Sequence, residues 1–417
     1  MTPKKILILQ DDFPPQSFGG AGIVVYNLGR ALAARGHDVH VITAIQNKKD
    51  VEVVSMDGIT VHRIEAHFSK RFQAYWCLWN PKAVRQVKEI LREFEPDVVH
   101  AHGMHGYLSY ASLVAAKKSG ARVILTCHDV MSFNYSKLVE FIDPTDINVH
   151  ERYNYRVTAF RHLKDYTYRY NPFRNLTIRL IVRKYVDVLT AVSDALRQAL
   201  ADNGIPNAKV VYNGIDVETW KPNEIRNKEF KEKNGLGDSV ILFGGRISGI
   251  KGSEKIVEAL ALIRRIVSDV QLLVIGQQDE FLKRMQEKAQ TLNVEDAIIA
   301  PGWLSGDDLK AAYYNSAVVA TPTLSFDSFP TMNLEAFACK KPVIATCFGG
   351  SREIVEDSVS GYIVNPYNVE MLVEKLTELL SDKQNAGCFG EKGYERVSKD
   401  FTLERQAKVF ETIYHKL

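Results

Sequence analysis

At 417 residues the chain exceeds the length at which one hydrophobic core stops growing, which predicts two domains of roughly 200 residues each. Hydrophobic residues make up 46% and charged residues 25%, a balance that excludes a disordered or fibrous chain. The formal net charge of +3 is too small for this length to call for a nucleic-acid partner.

The N-terminal "MTPKKILILQDD" has an apolar run that breaks after four residues at Gln10, which reads as a first strand and not as a signal peptide. The loop "SFGGAG", Ser17 to Gly22, then leads into the amphipathic segment "GIVVYNLGRALAARGH". From there short β-branched runs alternate with helical patterns. "DVHVITA", "DVVHAH", "RVILTCHD", "DVLTAVS" and "KVVYNGID" complete a first series of strands. Residues 152–184 stand apart, with nine Arg or Lys against one acid, Asp165, and seven Tyr or Phe interleaved. The polar stretch Asn213 to Ser239, with Pro222 and three glycines, reads as a domain boundary. "SVILFGGR", "VQLLVIGQ", "AIIAPGW", "AVVATPT", "PVIAT" and "GYIVN" form the second series, with "SEKIVEALALIRRIV" as a helix between strands. "LERQAKVFETIYHKL" is a final helix beyond it. The alternation predicts an α/β chain of two doubly wound domains, parallel sheets covered by helices on both faces. The five cysteines are scattered with no C-x-x-C and read as reduced thiols of a cytosolic protein. No window reaches the ~18 apolar residues of a membrane span.

Ligands bind open parallel sheets at the carboxyl ends of the strands, and the unusual residues of this chain gather there. In "SFGGAG" the glycines let backbone approach a ligand closely, and the first free amides of the following helix favour an anion. "TCHD", Thr126 to Asp129, ends a strand with a His-Asp pair that reads either as a contact to substrate or as a structural histidine beside a helix cap. His102 and His105 in "HAHGMHG" lack a third ligand at a defined spacing and read as loop histidines and not as a metal site. "GGRISGIKG" presents Arg246 and Lys251 among glycines, a fork and a point charge that suit the oxygens of a diphosphate. There is no Asp-x-Asp in the chain to chelate a metal–diphosphate. In "DSFPTMNLEAFACKKPVIAT", Asp327 and Glu335 have seven residues between them. On one straight helix they would lie about 12 Å apart, too far to flank one bond. With the helix starting near Pro330, Asp327 belongs to the loop and Glu335 to the helix, so they would touch different parts of an extended ligand; the alternative is an N-cap and a solvated face.

Taken in order, "PPQSFGGAGIVVYNLGRALAARGHDVHVIT", "DVVHAHG", "TCHD", "AVSDALRQAL", "VVYNGIDVETW", "GGRISGIKG", "GWLSGDDLKAAYYNSAVVATPT" and "DSFPTMNLEAFACKKPVIAT" resemble the motifs of family 4 glycosyltransferases over nearly the whole chain. The resemblance implies the GT-B fold: two Rossmann-like doubly wound domains facing a central cleft, with a C-terminal helix crossing back to the first domain. It places an acceptor-side domain at 1–214, a linker at 215–239, a nucleotide-sugar-binding domain at 240–398 and the crossing helix at 399–417. It implies that Gly19 and Gly20 lie near the donor phosphates, that Arg246 and Lys251 hold the diphosphate, and that His128 lies close to the transferred sugar. The last motif matches a Glu-x7-Glu pair whose second member, here Glu335, accepts hydrogen bonds from ribose hydroxyls, with the amides of Thr331 and Met332 meeting phosphate. The first member, which contacts the sugar, is Asp327 in this chain and is one methylene shorter. The implied reaction is metal-independent, needs no cofactor and retains anomeric configuration: a hexosyl unit passes from UDP or GDP, UDP being favoured, to a hydroxyl of a glycan, lipid-linked or small-molecule acceptor. A sugar-nucleotide epimerase or hydrolase, or a non-catalytic nucleotide-sugar-binding protein, are the alternatives on the same fold. Residues 152–184 are then either a surface for anionic lipid or a lipid-phosphate acceptor, which would place a cytoplasmic enzyme on the inner face of a membrane, or a helical hairpin with solvated arginines and packed tyrosines.

Overall fold

The structure is a computed structural model that describes residues 2–15, 17, 20–245, 249–277 and 280–417. The chain divides into two compact units, Met1–Phe141, Asn154–Gly214 and Leu403–Leu417 in the first and Ile142–Tyr153 and Ile215–Thr402 in the second.

Among the described residues the first unit carries an eight-stranded sheet. Its strands are β1 (Lys5–Leu9), β2 (Asp38–Ile45), β3 (Glu52–Met56), β4 (Ile59–Glu65), β5 (Val98–Ala101), β6 (Arg122–Cys127), β7 (Val188–Ala191) and β8 (Lys209–Val210). The order is β3-β4-β2-β1-β5-β6-β7-β8, parallel except for the β3–β4 pair. In β1 every residue after Lys5 is buried, as a central strand covered on both faces requires. The helix Gly20–Ala34 covers one face with Val24, Val25, Leu28 and Leu32, a spacing of one helical turn. The sequence reading passed over β3 and β4. They form a hairpin closed by Asp57 and Gly58, whose φ values of 50° and 83° match the tight turn that Asp-Gly favours.

The second unit carries a six-stranded sheet among the described residues, built from β9 (Val240–Gly245), β10 (Gln271–Gly276), β11 (Ile298–Gly302), β12 (Val318–Thr321), β13 (Val343–Thr346) and β14 (Gly361–Val364). Its order is β11-β10-β9-β12-β13-β14, all parallel, so the chain winds outward from β9 in one direction and from β12 in the other. The core between this sheet and its helices includes Ile241, Phe243, Leu260, Leu272 and Ile344, all at most 1% exposed.

Two boundaries differ from the sequence reading. Residues 142–153 belong to the second unit, where Asn365 Nδ2 donates to the carbonyls of Asp146 and Asn148, both at 2.8 Å. The expected linker 215–239 is folded within the second unit; its helix Glu224–Lys233 is anchored by Arg226 Nη2 donating to Asp308 Oδ2 at 3.0 Å. That helix sits on the surface, so its polar composition resembled a linker. The last helix, Leu403–Lys416, lies in the first unit, burying Ala407, Phe410 and Tyr414 against the core that includes Ile6, Val25 and Leu28. Glu411 fastens it, pairing with Arg35 at 2.6 Å and His37 at 3.0 Å. Among the described residues all five cysteines are unpaired, and no helix is long and apolar enough to cross a membrane. Because Phe410 is fully buried, Phe410→Ala is expected to lower the stability of the first unit by about 3–5 kcal/mol, whereas Val409→Ala, half-exposed on the same helix, should change it by under about 1 kcal/mol in urea titrations.

Candidate active site

In the second unit the strand order reverses between β9 and β12, and the loops that leave these two strands carry the polar residues. After β9 comes a short turn, Gly249–Lys251; after β12 comes Pro322–Pro330 and then the helix Thr331–Ala338. The loops are joined by Leu324 N–H donating to the carbonyl of Ile250 at 2.7 Å. Lys251 Nζ then reaches Asp327 Oδ2 at 2.7 Å, and Thr323 Oγ1 donates to the same oxygen at 3.4 Å. Two glycines make this approach possible. A Cβ on Gly252, at φ 86°, would stand 2.1 Å from the carbonyl oxygen of Pro322. One on Gly349, at φ 106°, would stand 2.2 Å from the carbonyl oxygen of Asp327. Asp327 is thus clamped by backbone as well: its N–H donates to Phe348 at 3.0 Å, and its carbonyl accepts from Gly350 at 2.8 Å.

The helix Thr331–Ala338 begins after Pro330, and among the described residues no side chain caps it. Its first amides, at Thr331 and Met332, are those a helix start offers to an anion. Glu335, half-buried one turn on, accepts a hydrogen bond from the Tyr313 hydroxyl at 2.6 Å on Oε2. Burial raises its carboxyl pKa above the ordinary glutamate value, partly offset by hydrogen bonds from Tyr313 and Thr331. Tyr313 was not among the candidates read from the sequence; it lies 22 residues earlier on another helix, so no local pattern links it to Glu335. Arg246 and Gly19 lie outside the described residues, while Gly20 opens the helix Gly20–Ala34.

In the first unit the loops after β1, β5 and β6 meet. Asp11, after β1, accepts hydrogen bonds from the amides of Gly106, Tyr107 and Leu108 at 2.8, 3.2 and 2.8 Å, which pins the loop after β5. Burial outweighs these donors and pushes the Asp11 carboxyl up to about 6. His128, at the end of β6, shares a 2.9 Å hydrogen bond with His102 Nδ1 through its Nε2. His100 bonds Thr126 Oγ1 at 2.7 Å and the Tyr414 hydroxyl of the last helix at 2.8 Å. Burial lowers His100 to about 3 and His128 to about 4, and takes His102 well below its usual value, so at neutral pH all three are uncharged. His102 and His105 lie in the loop after β5, but both are engaged there: His102 is buried against His128, and His105 Nε2 pairs with Asp129 Oδ1 at 3.2 Å. Asp129 caps no helix. It accepts from the Met131 amide at 2.8 Å in a turn, and although burial opposes its ionisation, His105 and this amide hold its carboxyl well below the usual range. Among the described residues no group of three or more His, Cys, Asp or Glu is arranged to hold a metal ion.

Residues 18–219 match the family described as Glycosyltransferase Family 4, and residues 224–396 match Glycosyl transferases group 1. N-acetyl-alpha-D-glucosaminyl L-malate synthase of Bacillus anthracis is 25% identical over 405 residues, 96% of this chain and 94% of that protein. Among solved structures, sucrose-phosphate synthase of Thermosynechococcus elongatus superposes with a TM-score of 0.79 at 20% identity, covering 99% of this chain and 98% of that one. HepE of Anabaena, solved in complex with UDP-glucose, superposes with a TM-score of 0.73 at 18% identity, covering 99% of this chain and all, 100%, of that one.

Two measurements probe this geometry. In a double-mutant cycle of Asp327→Asn and Lys251→Met followed by urea unfolding, the pair is expected to couple by roughly 1 kcal/mol; additive effects would mean that it is not formed in solution. For the histidines, the folded state binds fewer protons than the unfolded chain between the ordinary value near 6.5 and the lowered values of about 3 and 4, so stability is lost as pH falls through that window. Asp11, raised to about 6, works in the opposite direction, since it favours the fold more as pH falls. The net expectation is lower stability at pH 5 than at pH 7, with a shallower slope in His128→Asn by up to about 2 kcal/mol over that range.

Proposed function

The chain belongs to the family 4 glycosyltransferases of the GT-B fold, and on that premise we propose that it is a retaining hexosyltransferase using a nucleotide diphosphate sugar, UDP-linked in the first instance. The observation that carries this reading is the pairing of Lys251 with Asp327 at the carboxyl ends of β9 and β12, with Glu335 one helical turn into the adjoining helix. Glu335, already oriented by Tyr313, is assigned to the ribose hydroxyls. The Thr331 and Met332 amides and Lys251, with Arg246 and the Gly19–Gly20 backbone, are assigned to the diphosphate. Asp327 then has two tasks: it holds Lys251 in place and offers its second carboxylate oxygen to the sugar. The UDP-glucose carried by HepE and the glucosaminyl transfer named for the Bacillus anthracis relative are compatible with such a donor.

In the proposed reaction the acceptor hydroxyl oxygen forms a bond to the anomeric carbon on the face from which the diphosphate departs. The bond from that carbon to the phosphate oxygen breaks, and its electron pair leaves with the nucleoside diphosphate. The acceptor proton passes to the departing phosphate oxygen, so neither a covalent carboxylate nor a metal is needed, and configuration is retained. Lys251 lowers the barrier by countering negative charge as it builds on the leaving group. His128, kept neutral by burial, is assigned as a hydrogen-bonding contact to the sugar and not as a charged one. A glycan, a small molecule or a lipid-linked hydroxyl would serve as acceptor. A lipid-linked acceptor calls for peripheral contact with a membrane, and residues 152–184 are the segment we assign to it.

Glu335→Ala should weaken UDP binding by roughly ten- to a hundredfold in calorimetric titration, the loss of one charge-assisted hydrogen-bonding group. Because burial raises its pKa, wild-type affinity should rise with pH above the ordinary glutamate value, and Glu335→Gln should remove that dependence. With UDP-sugar and a hydroxyl acceptor, NMR of the product should give the donor's anomeric configuration; inverted product, or free sugar alone, would overturn the proposed transfer.

A further inference from the structure

Residues 152–184 do not act as one charged run. Arg152 and Tyr153 belong to the second unit, and Arg174 is fully buried. Its Nε donates to Cys77 Sγ at 3.3 Å, its Nη1 to Asn175 Oδ1 at 2.8 Å, and its Nη2 to the carbonyl of Met131. What remains outside is an apolar stripe. The helix Arg174–Tyr185 buries Ile178 and Val182 and leaves Leu176 and Leu180 exposed by 52% and 58%, while Phe173 just before it is 67% exposed. These three fall at i, i+3 and i+7, so they lie on one face. The helix Ala159–Tyr166 repeats the pattern: His162 is buried, and Phe160 is 77% exposed.

A second segment, remote in sequence, joins this face. The Tyr75 hydroxyl donates to the carbonyl of Tyr168 at 3.1 Å, the Phe72 and Tyr168 rings lie 6.3 Å apart, and the Arg71 guanidinium sits 5.3 Å from the Tyr168 ring centre. Phe72, Tyr75 and Trp79, from the short turn Lys70–Phe72, the four-residue helix Gln73–Trp76 and the coil just after it, are all exposed. Exposed cations stand among them at Arg161, Lys164, Arg183 and Lys184, whereas residues 70–79 hold no acid and residues 159–185 hold only Asp165.

We propose that residues 70–79 and 159–185 form one surface that seats the protein on an anionic lipid bilayer. Phe160, Phe173, Leu176 and Leu180 enter the boundary between headgroups and acyl chains. The aromatic residues around Tyr168 lie at headgroup level, and the Lys and Arg side chains extend to the lipid phosphates. The near absence of acids is what selects a lipid surface: a protein partner presents charges of both signs, whereas an anionic leaflet presents one. This rests on the membrane contact assigned above to residues 152–184, and it gives that contact its residues and its lipid charge.

The test is flotation of the full chain with vesicles of phosphatidylcholine alone or with about a third phosphatidylglycerol, at low salt and at ~0.5 M salt. Wild type is expected to float with the anionic vesicles at low salt only. Phe160→Ser with Phe173→Ser and Leu180→Ser should lower the bound fraction about tenfold or more. Arg71→Glu, outside residues 152–184, should lower it severalfold, and Ile225→Ser, 76% exposed in the second unit, should leave it unchanged. UDP affinity, measured alongside, should stay constant in all variants. Flotation that survives all of these substitutions would overturn this surface while leaving a membrane contact in place. No flotation of wild type with either vesicle would overturn both, and a self-associated species abolished by the triple substitution would assign the face to a second copy instead.

Discussion

A parallel sheet wound in both directions has one place where neighbouring strands send their connections to opposite sides, and nothing in the chain can fill the gap there. Here that place lies between β9 and β12 in the second unit and between β1 and β5 in the first. The Lys251–Asp327 pair and the Asp11 contacts depend on it. Lys251 and Asp327 are 76 positions apart, yet their loops leave adjacent strands and are locked by the Leu324–Ile250 hydrogen bond. Asp11 and the amides at 106–108 are joined by the same logic in the first unit, since β1 pairs with β5.

Removing charge from water sets the terms on which these groups persist. Lys251 and Asp327 are each other's counter-charge, and both keep some access to solvent, with side chains 32% and 14% exposed. Among the described residues no cation stands beside Glu335; hydrogen-bond donors support it instead, and its raised pKa reflects the burial they do not offset. Under the proposed function, the ligand brings hydroxyl donors to Glu335 and negative charge to Lys251. A nucleoside diphosphate has both.

The histidines of the first unit follow the opposite rule. His100, His102 and His128 are buried and bonded to hydroxyls or to each other, and burial outweighs the nearby Asp129 carboxylate that favours a proton on His128, so they stay neutral. A neutral imidazole offers one donor and one acceptor, which suits recognition of a sugar hydroxyl better than that of an anion. His105, one turn of loop away, has Asp129 as partner instead.

Local pattern was enough for much of this. β-branched runs alternating with amphipathic segments determined two parallel α/β units, and the glycines beside Lys251 and the proline before Thr331 marked the loop and the helix start, because these features depend only on neighbours in the chain. The Asp-Gly turn between β3 and β4 was equally legible, although the strands beside it were passed over. Only the tertiary structure decided which distant groups meet: Tyr313 with Glu335, His102 with His128, Tyr414 with His100, and Tyr168 with the Arg71–Tyr75 turn. It also decided that Arg174 is a buried anchor and not a surface charge, and that residues 142–153 belong with the second sheet. Periodicity reports which face of an element is apolar, whereas these pairings depend on strand order and on how far a side chain reaches across a loop. Neither is written in the spacing of residues along the chain.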